Sequence, residues 1–168
     1  MEISIKNATL LCAILLTGLS AGLFYAWTVS VIPGTKRIAD ANYLETMQSI
    51  NRAILNPAFY LIFFGSLILM IISSVQHYSH SNPIFWLVLL ATLIYLIGTF
   101  GVTVFGNVPL NEGLNKIELS KLSQEELTQA RQSFEGSWNR LHMIRTVFSV
   151  LSFLTMLLSV FVSQSSNE

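Results

Sequence analysis

Residues 83–106 read PIFWLVLLATLIYLIGTFGVTVFG, twenty-four positions without one Asp, Glu, Lys or Arg. As a helix this stretch would be about 36 Å long at 1.5 Å per residue, enough to cross a hydrocarbon core of about 30 Å. The absence of charge extends well beyond it. No charged residue occurs in 7–35, 53–111 or 146–167, whereas five crowd into 36–52 and ten into 112–145. A water-soluble domain spreads charge along its length, because every exposed element needs some. Lipid makes charge costly over long runs, so the two islands mark the parts that meet water. The chain reads as an all-α, multi-pass membrane protein: a four-transmembrane-helix antiparallel bundle forming a single domain over 1–168.

The expected spans are 8–32, 57–75, 83–106 and 141–163. The run at 8–32 is too long for the apolar part of a typical signal peptide and reads as an uncleaved first span. Asn56-Pro57 and Asn82-Pro83 start the second and third spans: Asn caps free amides, and Pro has no amide to satisfy in the first turn. Pro33-Gly34 is expected to end the first span, and Pro109 to end or kink the third. The short connector 76–82 makes spans two and three a hairpin. In the longer connectors, Tyr43, Met47, Ile50 and Ile54 recur at helical spacing over 39–54. Ser123 and Glu126 form a capping box opening a helix from Gln124 to about Trp138 that can run into span four. Both helices are expected at the membrane interface or on its aqueous side. No internal repeat is visible.

Charged residues make up 11% of the chain, against about 25% in ordinary globular domains. The formal net charge is zero, which argues against a nucleic-acid partner. The single cysteine, Cys12, excludes a cysteine-based metal site and reads as a small packing residue. Eight of the nine Lys and Arg residues lie in the islands, so these are expected on the cytoplasmic side with both termini outside.

Polar residues gather at the span ends on that same side. They include Trp27, Thr28 and Ser30, then Asn51 and Asn56, then Thr99, Thr103, Asn107 and Asn111, and finally Asn139, Arg140, His142 and Arg145. Arg145 either snorkels to the headgroups or faces inward to pair with an anion or backbone groups. His142, one turn before it, shares its helix face and suits either proton transfer or a structural hydrogen bond. Asn107 and Asn111 flank Pro109, where they can satisfy the carbonyls it frees or donate to a ligand. On the opposite side His77 and His80 have metal-ligand spacing but no nearby carboxylate, and no metal site is expected. Gly18 with Gly22, and the stripe Thr146, Ser149, Ser152, Ser159 and Ser163, read as close helix packing. No carboxylate lies inside any span, which argues against an ion-coupled transporter.

In order, the chain carries GLFYAWTVSVIP at 22–33, Met47-Gln48-Ser49-Ile50-Asn51 leading to Asn56-Pro57, TVFGNVPLN at 103–111, and Trp138 followed by His142, Arg145 and Thr146. This ordered set resembles the anthrone oxygenase-like four-helix membrane family, most of whose bacterial members have no assigned function. The resemblance implies the four-helix fold and a bacterial inner (plasma) membrane location. For some fungal members it implies oxidation of anthrones to anthraquinones without a conventional cofactor.

Two functional readings follow. In the first, the chain is an oxygenase or related oxidoreductase acting on a lipophilic, weakly acidic aromatic, with no cofactor. His142 is then the base and Arg145 the oxyanion partner. Asn51, Asn107 and Asn111 orient the substrate, which enters from lipid past Phe24, Tyr25 and Trp27, with Trp138 beside the site. In the second, the chain is a non-catalytic lipophile binder or an accessory subunit, and its partner is a second membrane protein or another copy of itself.

Overall fold

The computed structural model describes residues 4–79 and 82–165, and every regular element among them is helical. Four helices are long and apolar enough to cross a membrane: Ile5–Thr35, Pro57–Gln76, Pro83–Asn115 and Gln124–Val162. The protein is an integral membrane four-helix bundle. In chain order the first span is α1 (Ile5–Ala26), a π-helical turn Trp27–Val31 and α2 (Ile32–Thr35). Then follow α3 (Asp40–Ala53), α4 (Pro57–Gln76) and α5 (Pro83–Ile94). α5 runs on through π-helical turns at Tyr95–Gly101 and Thr103–Asn107 into α6 (Val108–Asn115). A short 3₁₀ turn at Leu119–Lys121 leads to α7 (Gln124–Ser165).

The Asn-Pro starts behave as the sequence predicts. Asn56 accepts from the amide of Phe59 and Asn82 from that of Ile84, each with proline in the first turn. The capping box also forms: Ser123 Oγ accepts from the Glu126 amide, and Glu126 accepts from the Ser123 amide at 2.7 Å. These bonds hold the Glu126 carboxyl below the usual range.

Neither Pro33 nor Pro109 ends its span. Each removes an amide that would have bonded the carbonyl four residues earlier. The turn ahead of each proline widens instead: Ile32 N–H reaches Trp27 O and Val108 N–H reaches Thr103 O, five residues back. The helix then passes through the proline and continues to Thr35 or Asn115.

Leu10, Ala13, Ile14, Leu67, Met70 and Tyr95 belong to the bundle core, while Leu11, Leu15, Leu19, Ile68 and Leu158 face outward, as lipid allows. Cys12 is on the outer face too, so it is not a packing residue. Close approach depends on small residues at particular points. A Cβ on Gly98 would sit 1.9 Å from the Phe148 ring, and one on Gly18 would sit 2.8 Å from Phe153. Gly22 has open space and takes no part, contrary to the paired reading. Thr146, Ser149, Ser152 and Ser159 are buried, and Ser152 bonds Ala91 O across to α5 at 2.9 Å. The side chain of Ser163 lies outside the described residues.

The connector helices do not rest separately at an interface. α3 packs on α6 and α7 around a second core of Tyr43, Leu44, Met47, Leu114, Phe134 and Trp138. Burial pushes the Tyr43 phenol up. Gln48 Nε2 donates to Leu114 O and Ile117 O, capping the end of α6. Arg131 ties α7 to the end of the first span. It donates to Ile38 O at 2.7 Å and Thr35 O at 3.3 Å, and pairs with Asp40 at 3.0 Å and Glu135 at 2.8 Å. The Glu135 carboxylate, followed by Asp40, holds its guanidinium above the ordinary range.

Candidate functional site

At the end of the bundle that carries the charge islands lies a cavity of about 150 Å³. Its walls come from all four spans and from α3. Phe24 and Trp27 come from the first span, Asn51 from α3 and Ile54 from just after it, Phe59 from α4, Thr103 and Asn111 from the third span, and Trp138, His142 and Arg145 from α7. Both prolines help to build it, because Trp27 and Thr103 are the first residues of the widened turns ahead of Pro33 and Pro109.

Arg145 is 8% exposed and forms no salt bridge among the described residues. Its guanidinium is held between two rings, 4.6 Å from the Phe24 centroid and 5.1 Å from that of Trp138. Its Nε and one terminal nitrogen lie 3.1 and 3.0 Å from His142 Nδ1, and its other terminal nitrogen donates to Thr103 Oγ1 at 3.4 Å. It faces inward and does not snorkel.

These bonds fix the histidine tautomer. Guanidinium nitrogens only donate, so His142 Nδ1 is the acceptor and Nε2 carries the hydrogen. Nε2 accordingly faces the Phe24 carbonyl at 3.2 Å and the Thr28 hydroxyl at 3.1 Å. Thr28 gives its own hydrogen to Phe24 O, and Thr146 gives its hydrogen to His142 O. The one lone pair on the ring is therefore committed to Arg145. The expected role of His142 as base does not fit this geometry; the histidine holds the arginine.

Trp138 is clamped in turn. Its indole N–H donates to Asn111 Oδ1 at 2.8 Å, and its carbonyl accepts from Asn107 Nδ2 at 3.3 Å. Asn107 is fully buried and not among the cavity-lining residues. Neither asparagine satisfies the carbonyls freed by Pro109; both reach across to α7. Asn107 is thus a positioning group rather than a direct donor to a ligand, and Asn111 touches the cavity with its amide oxygen already engaged.

Asn51 differs from them. It is 5% exposed, lines the cavity, and its Nδ2 has no hydrogen-bond partner. A buried donor left unmade costs about 1–3 kcal/mol. A cation with no carboxylate partner and a neutral donor with no acceptor thus border the same space. Tyr25 does not join them. One residue beyond Phe24, it is turned about 100° around the helix, is 57% exposed and faces outward.

Thr103, expected at the mouth, lines the wall, whereas the sequence reading missed Phe59 and Glu112, the one carboxylate among the lining residues. Glu112 is exposed beside Asn115 at the rim. Its signal was available: Val108, Asn111, Glu112 and Asn115 lie on one helical face once the helix continues past Pro109. Among the described residues no group of His, Cys, Asp and Glu could hold a metal ion. His77 Nδ1 bonds Ser73 O at 2.8 Å, and His80 lies outside the described residues.

No curated protein and no solved structure matches the chain. Residues 58–155 match the sequence profile described as anthrone oxygenase. The match spans more than half the chain and includes Asn107, Asn111, Trp138, His142 and Arg145, while Trp27 and Asn51 fall outside it. On that match, the chain belongs to the anthrone oxygenase family.

Proposed function

We propose that the cavity holds the conjugate base of a lipophilic, weakly acidic aromatic and exposes it to dioxygen, making the protein an oxygenase that needs no cofactor. The charged end of the bundle is then its cytoplasmic, working end. One observation carries this reading: the buried Arg145 guanidinium, without a carboxylate partner among the described residues, lines the same cavity as the unpartnered Asn51 Nδ2. A buried cation is costly without an anion, and a cavity bordered by an uncompensated charge and one free amide donor suits a developing oxyanion.

The substrate oxygen sits toward Arg145 and Asn51, with the ring against Phe24, Trp27, Phe59 and Trp138. Glu112, open to water at the rim, takes the C–H proton, and the charge left behind delocalises onto the oxygen that Arg145 holds. Dioxygen adds at the carbon that lost the proton, forming a C–O bond and, once reprotonated, a hydroperoxide. Loss of the second hydrogen with cleavage of the O–O bond leaves a carbonyl and one water. A CH₂ group and one O₂ thus become C=O and H₂O, with no other oxidant. His142, Asn107 and Asn111 act by holding Arg145 and Trp138.

Oxygen uptake by the purified protein with anthrone tests this reading. Wild type should exceed the spontaneous rate, and Arg145→Gln should lose about a hundredfold or more, the scale of removing one oxyanion donor. Glu112→Gln should lower the rate with little effect on binding. An Arg145→Gln variant that turns over at the wild-type rate would sink the assignment. Ligand binding without oxygen uptake would leave the non-catalytic lipophile binder.

A further inference from the structure

Cavity size, the nature of its rim and the rigidity of its walls together restrict what can enter. A protein cavity of about 150 Å³ lined by aliphatic and aromatic side chains accommodates a benzene-sized molecule. This cavity has about that volume. Three fused rings exceed that volume, so such a ligand would have to project through the rim or displace the walls, and the walls are braced. Trp138 is bonded at both its indole N–H and its carbonyl, stacks on His142, and meets Trp27 at 5.8 Å between centroids. Phe59 is stacked on Phe63, 5.2 Å away.

The rim has two characters. Leu55, 61% exposed, and Val108, also exposed, border the opening on one side. Leu61 on α4 and Phe105, one turn before Val108, are also exposed apolar residues. Glu112 and Asn115 border the polar side. A molecule whose ring and charged oxygen are inside can therefore leave an apolar chain in the lipid past Leu55 and Val108.

We infer that the ligand of this chain is a single-ring acidic aromatic, a phenol or its keto tautomer, carrying an apolar tail that stays in the bilayer. This rests on the reading that Arg145 and Asn51 hold an aromatic anion, and narrows it from polycyclic anthrones to lipid-borne monocyclic phenols.

The test uses two probes with coloured anions, a para-octyl-ortho-nitrophenol and a hydroxyanthraquinone, titrated into the intact protein in nanodiscs. The nitrophenol should show its anion colour at a pH where the same probe in empty nanodiscs is neutral, and Arg145→Gln should abolish that colour. The three-ring probe should bind about tenfold more weakly or worse, a gap of about 1.4 kcal/mol. Phe59→Ala lengthens the cavity without touching the anion holder and should narrow the gap. Equal or tighter binding of the three-ring probe by wild type would overturn the inference. So would anion colour that survives Arg145→Gln, or a gap unchanged in Phe59→Ala. Oxygen uptake is read separately: single-ring binding without uptake removes the oxygenase and leaves this inference standing, whereas anthrone-driven uptake without single-ring binding does the reverse.

Discussion

The indole of Trp138 lies parallel to the imidazole of His142, with ring centroids 5.0 Å apart and planes within 7°. The pair lies one turn apart on α7, and Arg145 rests over the indole while bonding the imidazole. Releasing either ring therefore releases the cation. Asn111→Leu removes the acceptor for the indole N–H and should cost about 1 kcal/mol of stability. Tryptophan emission should shift to the red and become more accessible to a soluble quencher. Unchanged emission would mean that packing alone fixes the ring.

Arg145 pits stability against binding. Replacing a whole buried ion pair by neutral residues is often neutral or stabilising, by about 1–4 kcal/mol, and a buried cation with no counter-ion has no Coulombic partner to lose. Arg145→Gln keeps an N–H donor for His142 Nδ1 and discards the charge. Thermal unfolding of the ligand-free variant should occur at or above the wild-type temperature while anion binding is lost. A marked fall in unfolding temperature would show that the charge already has a partner. Arg145→Lys should also bind poorly, because one ammonium cannot reproduce the fork that reaches His142 and Thr103 together.

The meeting of spans three and four at Gly98 leaves no room for a methyl group. Gly98→Ala should destabilise by about 1–3 kcal/mol or more, as overpacking does, whereas Gly22→Ala, with nothing within 4 Å of its Cβ, should be neutral. Unfolding in detergent compares the two directly. Equal effects would contradict this packing.

The docking of α3 depends on an ionised Asp40. The Thr128 hydroxyl, then Arg131, hold its carboxyl below the usual aspartate range. A depressed carboxylate contributes stability above its unfolded value and loses it as pH falls through the folded one. Hydrogen exchange in α3 should therefore stay slow at neutral pH and speed up only below the ordinary aspartate range. Asp40→Asn should remove that acid step. A step that persists in the variant would assign it elsewhere.

The proposed orientation, with the islands cytoplasmic, has a direct test: a cysteine placed at exposed Gln132 in a Cys12→Ser background should resist an impermeant maleimide in sealed right-side-out vesicles. It should react once they are opened. Labelling of the sealed vesicles would invert the topology.

Most of the architecture was legible because lipid penalises charge so steeply that gaps between charged residues locate the spans. The Asn-Pro starts and the Ser123–Glu126 box were legible because caps are local. Wherever the outcome depended on which way a helix face turned, less was legible. Tyr25 and Phe24 are adjacent aromatics, and only the helix phase separates the outward one from the buried one. Asn51, Asn107 and Asn111 look alike in sequence. Their roles diverge because two reach Trp138 and one reaches nothing. His142 read as a base because the lone pair's occupant, Arg145, is identified only in three dimensions. Glu112 was hidden by the assumption that Pro109 stops its helix.

The widened turns before Pro33 and Pro109 can also be counted as one surplus residue ahead of each proline. In a regular helix every added residue advances the azimuth of all that follows by about 100°. Deleting Val29 or Phe105, both outward-facing, would restore ordinary pitch while leaving every wall residue of the cavity in the chain. It would also swing α3, or α6 with its polar rim, out of phase with α7. The site is thus encoded as much in a residue count as in residue identity. Relatives that lack the surplus residue should lack the cavity even where they retain its arginine.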